Sequence, residues 1–333
     1  MLKRLLLAAL LLPSVAVAEE VNVENFVRAE SDTMFRANLA AFGIGVGELS
    51  HVRQPTTPDN QPVIRMNQDT LYSGILLDLS EPVKITLPEI GGRYQSMHVV
   101  NQDHYMFVET KPGTYDLTEE NVGTRFAAVT IRTFADPKDS DDLRKAHEAQ
   151  DAIQVEGGGK GPFEAPDWDQ EALAKGRKAL NDFAAALGFE ASKAFGRKDE
   201  IDPTSYLIGA AAGWGGLPQS AAMYVIDSVS GNDGKTPYKV TAKDVPVDAF
   251  WSVTVYNADG YLEANDLNVN SYNSVTAEPN DDGSITIHFG ACGDGRINCI
   301  PITPGWNYAI RMYQPREQIR SGEWTFPEFV KVE

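Results

Sequence analysis

Cysteine and histidine are scarce in this sequence of 333 residues, which has two cysteines and five histidines. It also has no G-x-S-x-G elbow, no H-E-x-x-H pair, no C-x-x-C motif and no complete G-x-x-x-x-G-K-[ST] loop. Those absences exclude the serine hydrolases, zinc proteases, zinc ribbons and nucleotide hydrolases that such motifs define. The stretch GIGVGE at residues 43–48 follows a helical pattern and not a strand, which disfavours a dinucleotide-binding loop.

Basic residues are few relative to acidic ones. Lys and Arg number 29 against 47 Asp and Glu, which gives a formal net charge of −18. A surface of this charge repels phosphate backbones and anionic lipid, so we expect neither nucleic acid nor a membrane surface as a partner. Hydrophobic residues make up 42% of the chain, enough for sizeable cores, and the length predicts two or three domains.

The most apolar run is short and lies at the amino terminus. Lys3 and Arg4 precede an apolar block at residues 5–12, and the small-residue sequence Ala16-Val17-Ala18 follows. This order is typical of a secretory signal peptide cleaved after Ala18. The block is too short to span a bilayer, which needs about 20 apolar residues. We therefore expect a periplasmic or secreted protein with no membrane insertion after cleavage.

The two cysteines, Cys292 and Cys299, lie close together in a glycine-containing stretch, GACGDGRINCIP. In an oxidising compartment this arrangement predicts a disulfide that closes a small hairpin loop and contributes about 2 to 3 kcal/mol. The alternatives are a redox pair and a zinc site. Redox cysteines normally lie closer together beside a helix start, and zinc needs two further ligands nearby, so the structural disulfide is favoured.

Hydrophobic periodicity predicts β-rich ends and a helical middle. Phe26, Phe35 and Phe42 mark a helical apolar stripe that stops at Gly43. Short β-prone runs separated by glycine turns over residues 63–134 predict an antiparallel sandwich. In residues 137–202 we expect a helix that starts at Ser140, a flexible stretch at 155–166, and a second helix whose start carries a capping box of Asp167 and Gln170.

The β pattern returns after residue 222. In WSVTVY, residues 251–256, the apolar side chains alternate with Ser252, Thr254 and Tyr256, which predicts one buried and one more solvated face. Strands and polar turns in this region predict a second antiparallel sandwich or jelly roll. The predicted fold is mainly β, with a signal peptide at 1–18, a helix and sandwich at 19–136, a helical insert at 137–202 and a carboxy-terminal domain at 203–333.

Two parts of the chain resemble known families. RMNQDTLYSGILLDLSEPVKITLPEIGGRYQSMHVVN, which begins at Arg65, resembles domain of unknown function 1254. NDGKTPYKVTAKDVPVDAFWSVTVYNADGYL, CIPITPGWNYAIRMYQP and SGEWTFP resemble its usual companion, domain of unknown function 1214. The resemblance implies an immunoglobulin-like amino-terminal β-domain, a small helical part and a jelly-roll-like carboxy-terminal domain, and it brings no established reaction.

The chain departs from the family pattern at two places. The family sequence N-R-D-T-x-Y corresponds to residues 67–72, where Gln68 replaces the usual arginine. Val269 and Asn270 stand where relatives often carry an Arg-Tyr pair. Both departures remove positive charge, so the resemblance does not imply an anionic ligand for this chain.

The polar group in front of the apolar run at residues 75–77 is the first candidate site. We expect Asp69 to act as an acceptor or general base and Tyr72 as a donor, with Arg65 and Asn67 orienting a polar ligand. The structural alternative is that Asn67 and Asp69 bond to nearby backbone amides while Arg65 pairs with Asp69 or another carboxylate. The residue pattern leaves both open.

His98 and His104 lie on either side of a predicted turn, and His104 is the third catalytic candidate. With Asp103 they have the ligand types that zinc or non-haem iron accepts, yet the paired H-x-H spacing of cupin-like sites is missing. Each histidine is more often a hydrogen-bonded, half-buried side chain. We therefore assign no metal ligand, and the cofactor stays unknown.

The carboxy-terminal half supplies further candidate ligand-binding residues, Tyr256, Asn257 and Asn268. Aromatic rings beside amides are typical of sites that hold sugars, although core packing and asparagine turns explain the same pattern. We expect these residues to face Arg65, Asn67, Asp69, Tyr72 and His104 across a cleft between the two β-domains.

The expected function is an exported protein that binds or transforms a neutral polar or carbohydrate-like small molecule, as a hydrolase or lyase if it is an enzyme. The alternative is a non-catalytic periplasmic binding or envelope-interaction module. Neither the ligand nor the oligomeric state follows from the residues.

Overall fold

A computed structural model describes residues 18–61 and 63–332. The predicted signal peptide lies outside the described residues, except for Ala18. Within that described part the chain forms fifteen β-strands and six α-helices, so the mainly β fold predicted from the sequence is confirmed. None of the helices in these two ranges combines the length and the apolar character needed to cross a membrane.

One seven-stranded sheet forms the amino-terminal β-domain. Its strands are β1 (Ser50–Val52), β2 (Thr70–Leu87), β3 (Gln95–Asn101), β4 (Met106–Glu109), β5 (Gly113–Leu117), β6 (Phe126–Phe134) and β7 (Gln154–Gly159). The spatial order is β1-β2-β6-β3-β4, while β5 and β7 both pair with β2. Strand β2 is 18 residues long, and it pairs with four other strands of the sheet.

Strand β2 bends so that the sheet closes over its own core. Its first half pairs with β6 and its second half with β5 and β7. Ile75 and Leu77 from the first half and Val83 and Ile85 from the second half belong to one buried cluster. Each such side chain contributes about 1.5 to 3 kcal/mol on full burial. The result is the predicted sandwich.

Six helices accompany the strands: α1 (Phe26–Phe42), α2 (Glu119–Val122), α3 (Ser140–Asp151), α4 (Gln170–Leu187), α5 (Pro203–Gly213) and α6 (Glu317–Arg320). Helix α1 ends at Gly43 as predicted, because Gly43 adopts a left-handed φ of 63° that costs glycine nothing sterically. Phe26 of α1, Leu173 of α4 and Ala210 of α5 share one buried cluster. The helical layer therefore combines three separate parts of the chain.

Two sequence predictions for the insert are wrong. The first part of the predicted flexible stretch is no flexible linker, because residues 155–159 belong to β7, which runs along the bent half of β2. The predicted capping box of Asp167 and Gln170 does not form, since the side chain of Asp169 caps α4 and accepts from the backbone nitrogens of Glu171 and Ala172. We interpreted the glycines as a sign of flexibility. They are needed instead because the backbone of β7 packs closely against β2.

Two four-stranded sheets form the carboxy-terminal sandwich. Its strands are β8 (Ala222–Asp227), β9 (Tyr238–Ala242), β10 (Trp251–Tyr256), β11 (Ser271–Asn273), β12 (Ile285–Phe289), β13 (Cys299–Ile300), β14 (Asn307–Tyr313) and β15 (Val330–Lys331). The sheets have the orders β11-β10-β14-β8 and β13-β12-β9-β15, with Val253 and Trp306 among the buried side chains of their common core. The predicted Cys292–Cys299 disulfide is present.

The second face of β10 is also buried. Ser252, Thr254 and Tyr256 were expected on a solvated face, yet each is at most 1% exposed. Their side of the sheet packs against the amino-terminal domain, as the hydrogen bond between Ser252 and Asp69 shows. The polar half of the alternating pattern therefore lies in a seam between the two β-domains.

Candidate functional site

Residues 65–72 lie in the seam between the two β-domains. Asn67 closes a turn there, because its side-chain oxygen accepts from the backbone nitrogens of Asp69 at 2.7 Å and Thr70 at 3.1 Å. The Asn67 amide nitrogen donates to the hydroxyl of Tyr72. Asn67 therefore does what the structural alternative predicts, and it orients Tyr72 at the same time.

Asp69 joins the two domains. Its carboxylate accepts from Ser252 Oγ at 2.6 Å, and Tyr313 Oη and Asn273 Nδ2 lie 3.4 and 3.5 Å away. Burial raises the pKa of Asp69, and the positive charge of Arg311 partly offsets that rise. The predicted pairing of Arg65 with Asp69 is absent, because Arg65 Nη1 donates to Asn307 Oδ1 at 2.6 Å.

Arg311, on β14, holds the same segment by its backbone. Its Nη2 donates to the carbonyl oxygen of Arg65 and to Tyr256 Oη, both at 2.7 Å, and its Nη1 donates to Thr254 Oγ1 at 3.0 Å. Tyr256 Oη in turn donates to the carbonyl of Met66 at 2.8 Å. Arg311 and Tyr256 thus fix residues 65 and 66 against the carboxy-terminal sheet.

The predicted ligand-binding residues do not form one surface. Tyr256 is buried in the seam, and Asn257 closes its own loop by accepting from the backbone nitrogens of Asp259 and Tyr261. Asn268 is exposed and lines an outer cleft of about 490 Å³ between the domains. Other residues around this outer cleft include Gln68, Asp69, Lys138, Asn270 and Asn273.

A second polar cluster in the seam, which we call the inner crevice, surrounds Arg132, whose neighbours include tyrosines from both domains. The amino-terminal sheet contributes Tyr72, Arg132 and Ser96, which face one another on the neighbouring strands β2, β6 and β3. Tyr94 lies two residues from Ser96 on the same face. Tyr313 and Tyr224 come from the carboxy-terminal sheet.

Side chains from both domains meet around the inner crevice. The rings of Tyr94 and Tyr313 lie 5.5 Å apart, and the Arg132 guanidinium is 5.5 Å from the centre of the Tyr72 ring. Burial raises the pKa of Tyr94 to about 12. Tyr224 is 44% exposed. Burial nevertheless raises the pKa of Tyr224, and the positive charges of Arg132 and Arg311 partly offset that rise.

The sequence interpretation missed Arg132 and Tyr224. The signal for Arg132 was present in AAVTIRTF, where Thr130 and Arg132 alternate with the apolar Val129 and Ile131. Nothing in the local pattern showed that a second domain would cover this polar side. Tyr224 was included in a strand without a role, because its partner across the seam is distant in sequence.

The prediction that His104 faces the same cleft as Asp69 is wrong. Asp69 bonds to Ala135 at one end of β6, while Asn101, at the base of the His104 hairpin, pairs with Ala127 at the other end. Eight residues of strand separate these ends, roughly 25 Å. His98 Nε2 lies 3.3 Å from Met106 Sδ. In residues 18–61 and 63–332 no group of three potential metal-binding side chains comes together.

Fold and seam together define a class: a protein of two β-sandwich domains, joined by a helical layer, with polar spaces where the domains meet. Sequence profiles match residues 46–157 to a protein of unknown function (DUF1254) and residues 221–317 to a protein of unknown function (DUF1214). The chain therefore carries both of these domains of unknown function.

Solved structures have the same fold. The VPA0106 protein from Vibrio parahaemolyticus is 20% identical with a TM-score of 0.73, and the match covers 93% of this chain and 98% of that one. A putative uncharacterized protein from Burkholderia cenocepacia is 16% identical with a TM-score of 0.53, covering 93% and 88%. No curated protein sequence matches the chain. At these identities the likeness establishes the fold.

Proposed function

We propose that the protein binds a hydroxyl-rich, carbohydrate-like small molecule in the inner crevice. One observation carries this proposal: Arg132 Nη1 is buried without a hydrogen-bond partner in the described part of the chain, and the hydroxyls of Ser96, on the neighbouring strand, and of Tyr94, just before it, find no partner from the carboxy-terminal domain. A buried polar atom without a partner costs about 1 to 3 kcal/mol. A ligand whose hydroxyls bond to these atoms offsets that cost.

The aromatic content of the inner crevice fits the same kind of ligand. Tyr72 and Tyr224 keep accessible surface and each combine an apolar ring with a hydroxyl, so a polyhydroxylated ring can lie on their apolar surface and bond to their polar tips. The sequence predicted rings beside polar groups in the carboxy-terminal half. In the proposed site, tyrosines from both domains supply these aromatic rings.

A binding experiment with neutral sugars tests the proposal. We expect isothermal titration of the purified chain with glucose, galactose and xylose to give saturable binding for at least one of them. Tyr224→Phe removes one crevice hydroxyl, and we expect it to weaken that binding about tenfold. Tyr261→Phe, in an exposed loop, is the matched control and leaves binding unchanged. Equal effects of the two variants, or no binding by the unmodified chain, contradict the proposal.

A hydrolase or lyase is the second candidate function, favoured by the raised pKa of Asp69 next to Tyr313. Binding without turnover is better supported, because Asp69 is 1% exposed and its oxygens are engaged by the carboxy-terminal sheet. Turnover of 4-nitrophenyl glycosides that disappears in Asp69→Asn, at an unchanged melting temperature, favours the enzyme instead.

We also propose that the protein is exported and works in the periplasm or outside the cell. The support is the amino-terminal sequence pattern together with the Cys292–Cys299 disulfide, which persists in oxidising compartments. Expression of the full chain followed by cell fractionation tests this. We expect the mature protein in the periplasmic or external fraction, with Glu19 as its first residue by mass spectrometry; an intact chain in the cytoplasm contradicts it.

A further inference from the structure

We propose that Arg132 is an anion-binding residue, and that the ligand of the inner crevice is a hydroxylated carboxylic acid. This inference rests on the proposed function and names the ligand class of the same site. Arg93, Arg125 and Arg177 each meet a carboxylate, at Asp142, Asp78 and Glu30 respectively. Across residues 18–61 and 63–332, no carboxylate comes within salt-bridge distance of Arg132, whose Nη1 is buried without a partner.

The immediate neighbours of Arg132 are hydrogen-bond donors and not counter-charges. Ser96, which is 0% exposed, faces Arg132 directly across the β3–β6 ladder. Its hydroxyl and that of Tyr94 bond to nothing from the carboxy-terminal domain in the described residues. A guanidinium beside two hydroxyl donors is complementary to the two oxygens of one carboxylate.

The local charge also favours an anion, although the whole protein is acidic. The charged groups around the inner crevice are Arg132, Arg311 and Asp69, and the neutral His98 follows Ser96 on the same face. Asp69 already accepts a hydrogen bond from Ser252. The positive charge that lowers its pKa is that of Arg311. Arg132 is left as an uncompensated positive charge in a partly desolvated space, where its attraction for an anion is strong.

A single carboxylate fits this site better than a phosphate. A phosphate dianion needs a second free cation. The other arginine of the crevice, Arg311, already donates its hydrogen bonds to Arg65, Thr254 and Tyr256. The Arg132 guanidinium is also held in place by the Tyr72 ring, whose hydroxyl is fixed by Asn67. The geometry therefore presents one oriented guanidinium to one acidic group.

Matched pairs of ligands that differ in the acidic group test the inference. The probes are glucuronate against glucose and galacturonate against galactose, titrated calorimetrically at pH 7.5 in low chloride. We expect at least one acid to bind about 10- to 100-fold more tightly than its neutral partner, the range of a charge-assisted hydrogen bond. Arg132→Gln should abolish that preference: the acid loses its charged partner, whereas the neutral sugar loses one hydrogen bond to a neutral acceptor, so the acid is weakened by the larger factor. The exposed Arg197→Gln is the control and should change neither.

The outcomes separate the two proposals. If neither the acid nor the neutral sugar binds, the proposed function fails. If the neutral sugar binds as tightly as the acid, or Arg132→Gln keeps the acid preference, only the role of Arg132 fails. Thermal unfolding of Arg132→Met without ligand is a second readout. Because it removes an unpaired charge, we expect a melting temperature equal to or above that of the unmodified chain; a clear loss of stability indicates a structural arginine and contradicts the inference.

Discussion

Burial sets the chemistry of His104. Its ring stacks on Trp214 with the ring centres 5.6 Å apart, and its Nε2 accepts from the backbone nitrogen of Gly215 at 2.9 Å. Burial lowers the pKa of His104 to about 3, so the ring is neutral in the folded protein at neutral pH. A histidine held in this way contributes packing and a backbone hydrogen bond to the helical layer, and it cannot work together with Asp69.

The lowered pKa makes stability depend on pH. Above pH 6.5 His104 is neutral in both the folded and the unfolded chain. As pH falls below 6.5 the unfolded chain takes up a proton that the folded chain refuses until about pH 3, so stability falls by up to about 1.4 kcal/mol per pH unit. We expect His104→Asn, which tolerates the left-handed φ of 61°, to flatten this dependence.

Urea denaturation at pH 7.5, 6.0 and 5.0 measures the effect. Between these pH values the free energy of unfolding of the unmodified chain should fall more steeply than that of His104→Asn. The difference in slope should correspond to the uptake of about one proton on unfolding. His98, whose pKa burial also lowers, remains in both proteins and serves as a constant background. Identical slopes for the two proteins refute a neutral, buried His104.

At the scale of elements, the contact between β7 and the bent half of β2 decides the shape of the amino-terminal sandwich. Gly157, on β7, has a φ of 86°, and a Cβ there would lie 2.3 Å from the carbonyl oxygen of Pro82. Glycine is the one residue that allows both the left-handed backbone and this close approach. The sequence shows the glycines, but their role becomes visible only with β2 beside them.

Two glycine substitutions separate backbone strain from close packing. Gly157→Ala and Gly283→Ala both place a side chain at a φ near 80°, but nothing lies within 4 Å of a Cβ at Gly283. We expect a loss of about 1 kcal/mol for Gly283→Ala from strain alone and about 3 kcal/mol or more for Gly157→Ala. Chemical denaturation measures both. Equal losses would mean that β7 tolerates a side chain against β2.

At the scale of the whole molecule, the seam joins the two β-domains through polar contacts. Asp69 bonds to β10, and Arg311 bonds to the backbone of residue 65, although each pair is far apart in sequence. Buried charges of this kind are expensive to leave unpaired, so truncating one partner loosens the segment that it held.

Replacement of Arg311 tests this view of the seam. Lysine keeps the charge but cannot bond to Arg65, Thr254 and Tyr256 at once, so we expect Arg311→Lys to destabilise the protein by about 2 to 4 kcal/mol. Hydrogen exchange should quicken mainly in residues 63–70. Arg316→Lys, in an exposed pair with Asp248, is the control and should change stability by less than about 1 kcal/mol. Similar effects of the two variants contradict a clamping role.

Much of the fold and only part of the site could be predicted from residues alone. The stop of α1 at Gly43, the strands around Val253 and Ile310, and the Cys292–Cys299 disulfide follow from local patterns, because periodicity and turn residues act over a few positions. Asn67 closes its turn through the same local bonding.

Tertiary structure alone decided what covers each polar face. The alternation in β10 identified Ser252 as a polar position, but its burial depends on Asp69, 183 residues earlier in the chain. Arg132 is likewise a candidate anion-binding residue only because Tyr224 and Tyr313 of the other domain lie near it in the folded protein. A local pattern shows which side chains share a face; the partner of that face is chosen by packing between distant segments, which no short stretch of sequence contains.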